Sequence, residues 1–125
     1  MTGKIFDIRE RSFQFATRIV KLSRHLEDKT KVSRILINQL LAAGTSIGAN
    51  LQEANSGETH KDFIHKNAIS LKEARETNYW LRLLLATNDF PREVSNGIEE
   101  LQNESMELTK IIAKIIVNKK KNQEI

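Results

Sequence analysis

The chain has 125 residues, of which 29% are charged and 39% hydrophobic, with one proline and no cysteine. That length suits one domain with its own core, the missing cysteines exclude disulfides and thiolate metal sites, and no apolar run approaches the ~20 residues of a membrane span or forms the centre of a signal peptide, so a cytoplasmic setting is expected. The net charge is +4, and its distribution is uneven: residues 1–34 hold nine Lys/Arg against four Asp/Glu, whereas 58–90 hold five of each sign and 91–125 six of each.

The first amphipathic segment runs from about Asp7 to Glu27. Ile8, Phe15, Ala16, Ile19, Leu22 and Leu26 recur at three- and four-residue steps and draw one apolar face, which Phe13 and Val20 widen. Arg9, Arg11, Arg18, Lys21 and Arg24 fall mainly outside that stripe. Asp28–Lys31 is a short polar link, in which Thr30 is placed to cap a second helix from about Lys31 to Ala54. The second stripe is Val32, Leu36, Leu40, Ala43, Ile47, Leu51 and Ala54. It passes Gly44 and Gly48 without a change of phase, so a continuous helix is expected although each interior glycine costs about 0.8–1 kcal/mol. Two glycines four apart share a face on which another backbone can come close.

Asn55–Ser56–Gly57–Glu58 reads as a turn, and Thr59-x-x-Asp62 as a variant capping box. The third helix spans about His60 to Thr87, with Ile64, Ala68, Leu71, Ala74, Leu81 and Leu85 inward and Phe63, Trp80 and Leu84 beside them. Pro91 suits the first turn of a fourth helix that reaches about Asn118 and carries Val94, Ile98, Leu101, Leu108, Ile112 and Ile115 inward. Along it, Glu93 to Glu107 precede Lys110, Lys114, Lys119, Lys120 and Lys121. That order either complements the helix dipole or gathers a phosphate-binding cluster. Short links make consecutive helices antiparallel neighbours. The predicted architecture is therefore all-α: a single antiparallel up-down-up-down four-helix bundle over 1–118, followed by a basic, frayed tail over 119–125.

Catalytic motifs lack the structural context they need. Gly44-Thr45-Ser46-Ile47-Gly48 fits the G-x-S-x-G pattern, but a nucleophile elbow requires a strand before the serine. Within a helix Ser46 is a small packing residue. His25, His60 and His65 do not form the paired Glu-x-x-His motifs of a metal-binding bundle, so no metal or cofactor is expected. Glu73 and Glu76 stand three apart on the third helix, as Asn50 and Glu53 do on the second. A hairpin turning near Gly57 sets Asn50 opposite Ile64, Glu53 opposite Lys61 and Gln39 opposite Arg75. These polar groups read as register-fixing or interface contacts, because no cleft, nucleophile or cofactor loop accompanies the carboxylates. Tyr79 and Trp80 point about 100° apart on a helix. At most one is fully inward, and core packing is the expected use of Trp80.

Gln39–Leu40, Gly44-Thr45-Ser46-Ile47-Gly48-Ala49-Asn50 and Glu53–Ala54 together resemble the signature of the four-helix-bundle protein family. Its members are also called ribosomal-RNA intervening-sequence proteins, because some are encoded within insertions in large-subunit ribosomal RNA genes. The match continues through Lys61–Ile64, Ala68, Ser70–Ala74 and Glu76–Leu81. The chain carries Leu41 and Ala42 in a region where many members have arginine. The resemblance implies a bundle that assembles into a homopentameric barrel. It is also similar to the accessory variability determinant of diversity-generating retroelements, which implies nucleic-acid binding beside a reverse transcriptase.

Two functions compete, and neither is an enzyme. In the first, the protein is an oligomeric RNA- or DNA-binding accessory. Arg9, Arg11, Arg18, Lys21, Arg24, Lys29, Lys31 and Arg34 then contact phosphates, together with Lys119, Lys120 and Lys121. In the second it is a homo-oligomeric protein scaffold. Gln39, Gly44, Ser46, Gly48, Asn50, Glu53, Glu73, Glu76 and Trp80 then serve the subunit interface or the fold, and the basic face is only solvated.

Overall fold

A computed structural model describes residues 4–56 and 59–124, so Gly57 and Glu58 of the expected turn lie outside the described residues. Four helices follow one another: α1 (Lys4–Lys29), α2 (Arg34–Ala54), α3 (His60–Thr87) and α4 (Arg92–Glu124). Among the described residues there is no strand, and no helix is long and apolar enough to cross a membrane. Each helix packs on its neighbours in the order α1, α2, α3, α4, and α1 meets α4 over the shortest stretch. The cross-links run antiparallel throughout. Ser70 Oγ donates to the Ile47 carbonyl at 2.9 Å between α2 and α3, and Asn78 Nδ2 donates to Ser105 Oγ at 3.1 Å between α3 and α4.

The helix ends follow local chemistry. Thr59 caps α3, its hydroxyl accepting from the Asp62 amide at 3.1 Å. The expected cap at Thr30 is not made. The Thr30 hydroxyl instead donates back to the Leu26 carbonyl and accepts from the Val32 amide at 3.2 Å, closing α1. The chain then stays out of helix until Arg34 while Val32 packs against the core. At the other end, α4 continues through 119–124, where the sequence suggests fraying. The Lys119 carbonyl accepts from His60 Nε2 at 2.9 Å, which ties this stretch to the start of α3.

The core is built from Ile8, Phe15, Ile19 and Leu26 of α1, Leu40, Ile47 and Leu51 of α2, and Ile98, Leu108 and Ile112 of α4. Phe13, expected to widen the α1 stripe, is 60% exposed, and Ser12 takes the inward place. On α3 the buried row is Asn67, Ser70, Ala74, Thr77, Leu81 and Leu84, while Ala68 is exposed. Burial of polar side chains here is tolerated because each has a partner: Asn67 bonds to the Phe63 carbonyl, Ser70 to that of Ile47, and Thr77 to that of Glu73. Small residues let α1 and α2 approach. A Cβ at Gly44 would stand 2.8 Å from the Ile19 side chain, and one at Gly48 would stand 3.2 Å from Ser12 Oγ.

Candidate nucleic-acid interface

The basic first helix faces acids that its sequence neighbourhood does not reveal. Arg11 donates from Nε to Glu104 Oε2 at 3.0 Å and from Nη2 to Oε1 at 2.7 Å, a bidentate pair across α1 and α4. One heptad along, Arg18 Nη2 reaches Glu100 Oε1 at 3.1 Å. Arg34 Nη2 lies 3.3 Å from Glu27 Oε1. Arg9 is half-buried and lines a groove between α1 and α2. So Arg11, Arg18 and Arg34 are held by carboxylates of their own chain.

Lys21, Arg24, Lys29 and Lys31 differ. All four are exposed, and none is in an ion pair among the described residues. They cluster at the end of the bundle where α1 finishes and α2 begins. Lys119, Lys120 and Lys121 sit at the opposite end, about 40 Å away by helix length. The structure therefore separates the two expected cation clusters. Lys120 and Lys121 are exposed, whereas the Lys119 ammonium sits 4.7 Å over the Phe63 ring.

Lys110 and Lys114 belong to the basic run of α4 but lie apart from Lys120 and Lys121 in their surroundings. They are exposed on α4 and, with Arg11 and Lys119, border a furrow between α1 and α4. Their four-residue spacing, matched by Ile111 and Ile115, was the available signal. Its meaning depends on how closely α1 covers that face, which only the packing decides.

The residues read as interface or structural distribute as follows. Gly44 and Gly48 turn toward α1 of the same chain. Ser46 Oγ donates to the Ala42 carbonyl at 2.6 Å, and Asn50 Nδ2 to the Ser46 carbonyl at 2.8 Å, so both bond within α2. Glu53 pairs with Lys66 at 2.8 Å, five residues beyond the expected Lys61. Gln39 and Arg75 are both exposed, and no bond joins them among the described residues. Trp80 packs partly buried on the core, with its Nε1–H lacking an acceptor among the described residues, and meets Tyr79 edge-on at 5.1 Å between ring centroids. Glu73 and Glu76 are half-buried. Burial, and then the nearby Glu76 carboxylate, push the Glu73 carboxyl above its ordinary value, against a smaller opposing pull from Lys72. Among the described residues no group of three or more His, Cys, Asp or Glu side chains is placed to hold a metal ion.

A family model described as 23S rRNA-intervening sequence protein matches residues 4–116. A solved structure of a protein of unknown function from the S23 ribosomal protein family of Bacteroides thetaiotaomicron VPI-5482 is similar to this chain at 41% identity. The match covers 87% of this chain and 97% of that one, with a TM-score of 0.79. A comparison with curated proteins finds no match.

Proposed function

The chain belongs to the 23S rRNA-intervening sequence protein family, and on that premise we propose that it is an oligomeric, non-catalytic nucleic-acid-binding accessory protein of the cytoplasm. The observation that carries this reading is the exposed quartet Lys21, Arg24, Lys29 and Lys31, which has no carboxylate partner among the described residues. Cations already bonded to carboxylates must break those bonds to reach a phosphate; these four need not. Assembly into a homopentameric barrel is part of the proposal. It repeats the quartet around a ring and brings the formal charge to about +20 from +4 per chain. RNA, DNA and a reverse transcriptase are the proposed partners.

The test is fluorescence anisotropy with a structured RNA and a matched DNA duplex across roughly 50–200 mM salt. Affinity that falls steeply with salt, and that drops at least tenfold when Lys21, Arg24 and Lys29 are changed to Glu, supports the reading. Unchanged affinity in that variant removes the quartet from the site.

A second reading, a protein scaffold, is favoured by a different observation. Phe13 is 60% exposed and Ile35 76% exposed on α1 and α2. Phe13 borders a groove of about 670 Å³ floored by Ala16, Gly48 and Ala49. A contiguous apolar surface such as Phe13 with this groove favours association, whereas a lone exposed side chain such as Ile35 carries no weight by itself. Robust assembly with no polyanion binding at low salt is the outcome that selects the scaffold.

A further inference from the structure

The furrow between α1 and α4 has a composition that neither nucleic-acid binding nor the fold requires. Below the Arg11–Glu104 bridge the two helices part and leave a space of about 590 Å³. Small-ligand sites commonly occupy about 300–1,000 Å³. The floor is apolar, mainly aliphatic, and recessed: Ile8 is buried, and Ile111, Ile115 and the Phe63 ring are partly buried. The rim is cationic, formed by Arg11, Lys110, Lys114 and Lys119, and no acidic residue is among the described residues lining the space. Lys114 has no ion pair among the described residues, and Lys110 has only a long one, 3.5 Å to Glu107.

We propose that this furrow is a binding site for a free single-chain amphiphilic anion, a long-chain carboxylate whose alkyl body lies on Ile111 and Ile115 and whose head meets Lys110 and Lys114. Three features select this occupant. An aliphatic floor removes methylenes from water but gives a nucleobase nothing to stack on, and the Phe63 face is already covered by the Lys119 ammonium. A membrane surface needs apolar side chains that protrude, whereas these are sunk between two helices. Among the described residues the lining carries cations and no acid, which matches one negative head group, and a neutral or cationic amphiphile leaves those cations uncompensated.

The experiment is calorimetric titration of the full chain with dodecanoate below its micelle concentration, paired with amide chemical-shift mapping. One dodecanoate per chain is expected, with shifts centred on Phe63, Ile111 and Ile115. Octanoate should bind roughly two-hundredfold more weakly, since four fewer methylenes leave water. The exposed-site variants Lys110→Glu and Lys114→Glu, checked by circular dichroism, should each weaken dodecanoate about tenfold. Dodecyltrimethylammonium binding as tightly as dodecanoate overturns the proposal, as do shifts that map to the Phe13 groove. Capture by phosphatidylglycerol vesicles with no affinity for free dodecanoate also overturns it, in favour of a membrane surface. RNA affinity read on the same proteins keeps this result separate from the fate of the nucleic-acid proposal.

Discussion

Gly44 and Gly48 share a helix face yet differ in what an added Cβ would meet. At Gly44 it would stand 2.8 Å from two carbons of Ile19, a side chain buried on all sides. At Gly48 the nearest atom is Ser12 Oγ at 3.2 Å, a hydroxyl that can turn away from its bond to the Arg9 carbonyl. Replacing glycine by alanine inside a helix gains up to about 1 kcal/mol, and overpacking a core costs about 1–3 kcal/mol. Gly44→Ala is therefore expected to lose about 1–2 kcal/mol in urea denaturation, and Gly48→Ala to stay within about 1 kcal/mol of the parent. Asn78 links α3 to α4 through Ser105 Oγ and the Gln102 carbonyl, and Asn78→Ala should cost about 1–2 kcal/mol. Glu73 titrates against the fold. Its folded carboxyl holds a proton more tightly than the unfolded one, so the ionised form weakens the bundle above the folded pKa, and the penalty is relieved as pH falls through it. Glu73→Gln should accordingly raise the melting temperature at about pH 7, and the gain should fade toward about pH 4. A gain that persists unchanged at low pH would assign the effect to packing instead. Of this residue-level detail, spacing made legible only that Glu73 and Glu76 are neighbours on one helix. The sequence showed two glycines on one face, but not that the face meets Ile19 and Ser12, because that depends on the rotation of α1 against α2.

At the scale of elements, the third helix was legible at both ends, since Thr59 and Asn88 flank it as the cap and breaker their chemistry suggests. Its inward face was not. A stripe chosen by hydrophobicity alone passes over Asn67, Ser70 and Thr77, which are buried because each finds a backbone carbonyl within reach. The fourth helix outruns its apolar stripe for a related reason. Stripes report burial, and the helix runs on past Asn118 although Lys120, Lys121 and Asn122 are exposed, secured by the His60–Lys119 bond and the Lys119–Phe63 contact. Truncation after Asn118 removes both contacts and should cost about 1–2 kcal/mol in a thermal or denaturant melt. A truncated chain as stable as the parent would show that neither contact contributes.

Across the whole molecule, charge is arranged by which helices face each other. A linear count makes the first 34 residues strongly basic, yet Glu100 and Glu104 of α4 lie beside Arg18 and Arg11. The α1 face toward α4 is thereby compensated, whereas Lys21, Arg24, Lys29 and Lys31 stand exposed at the end where α1 finishes. Charge reversal on that face and at the quartet should differ in effect: Arg18→Glu should leave RNA affinity within about twofold, whereas Lys21→Glu and Arg24→Glu together should lower it about tenfold in anisotropy at low salt. The proposed pentamer is checked by native mass spectrometry, where five chains of 14.3 kDa give about 72 kDa. By itself, the sequence determined the all-α class, the order and approximate extent of the four helices, and the family resemblance that the comparisons then established. The class and the helices follow from local periodicity, capping chemistry and short connections, all of which act between residues near in sequence, and the resemblance from motif residues such as those of Gly44–Asn50. Tertiary structure alone decided which arginines are held by carboxylates, that the basic clusters occupy opposite ends, and that a cation-rimmed furrow opens between α1 and α4. Those two helices are the first and last of the chain, with no short link to set their register, so the contacts between them arise only when the whole core packs.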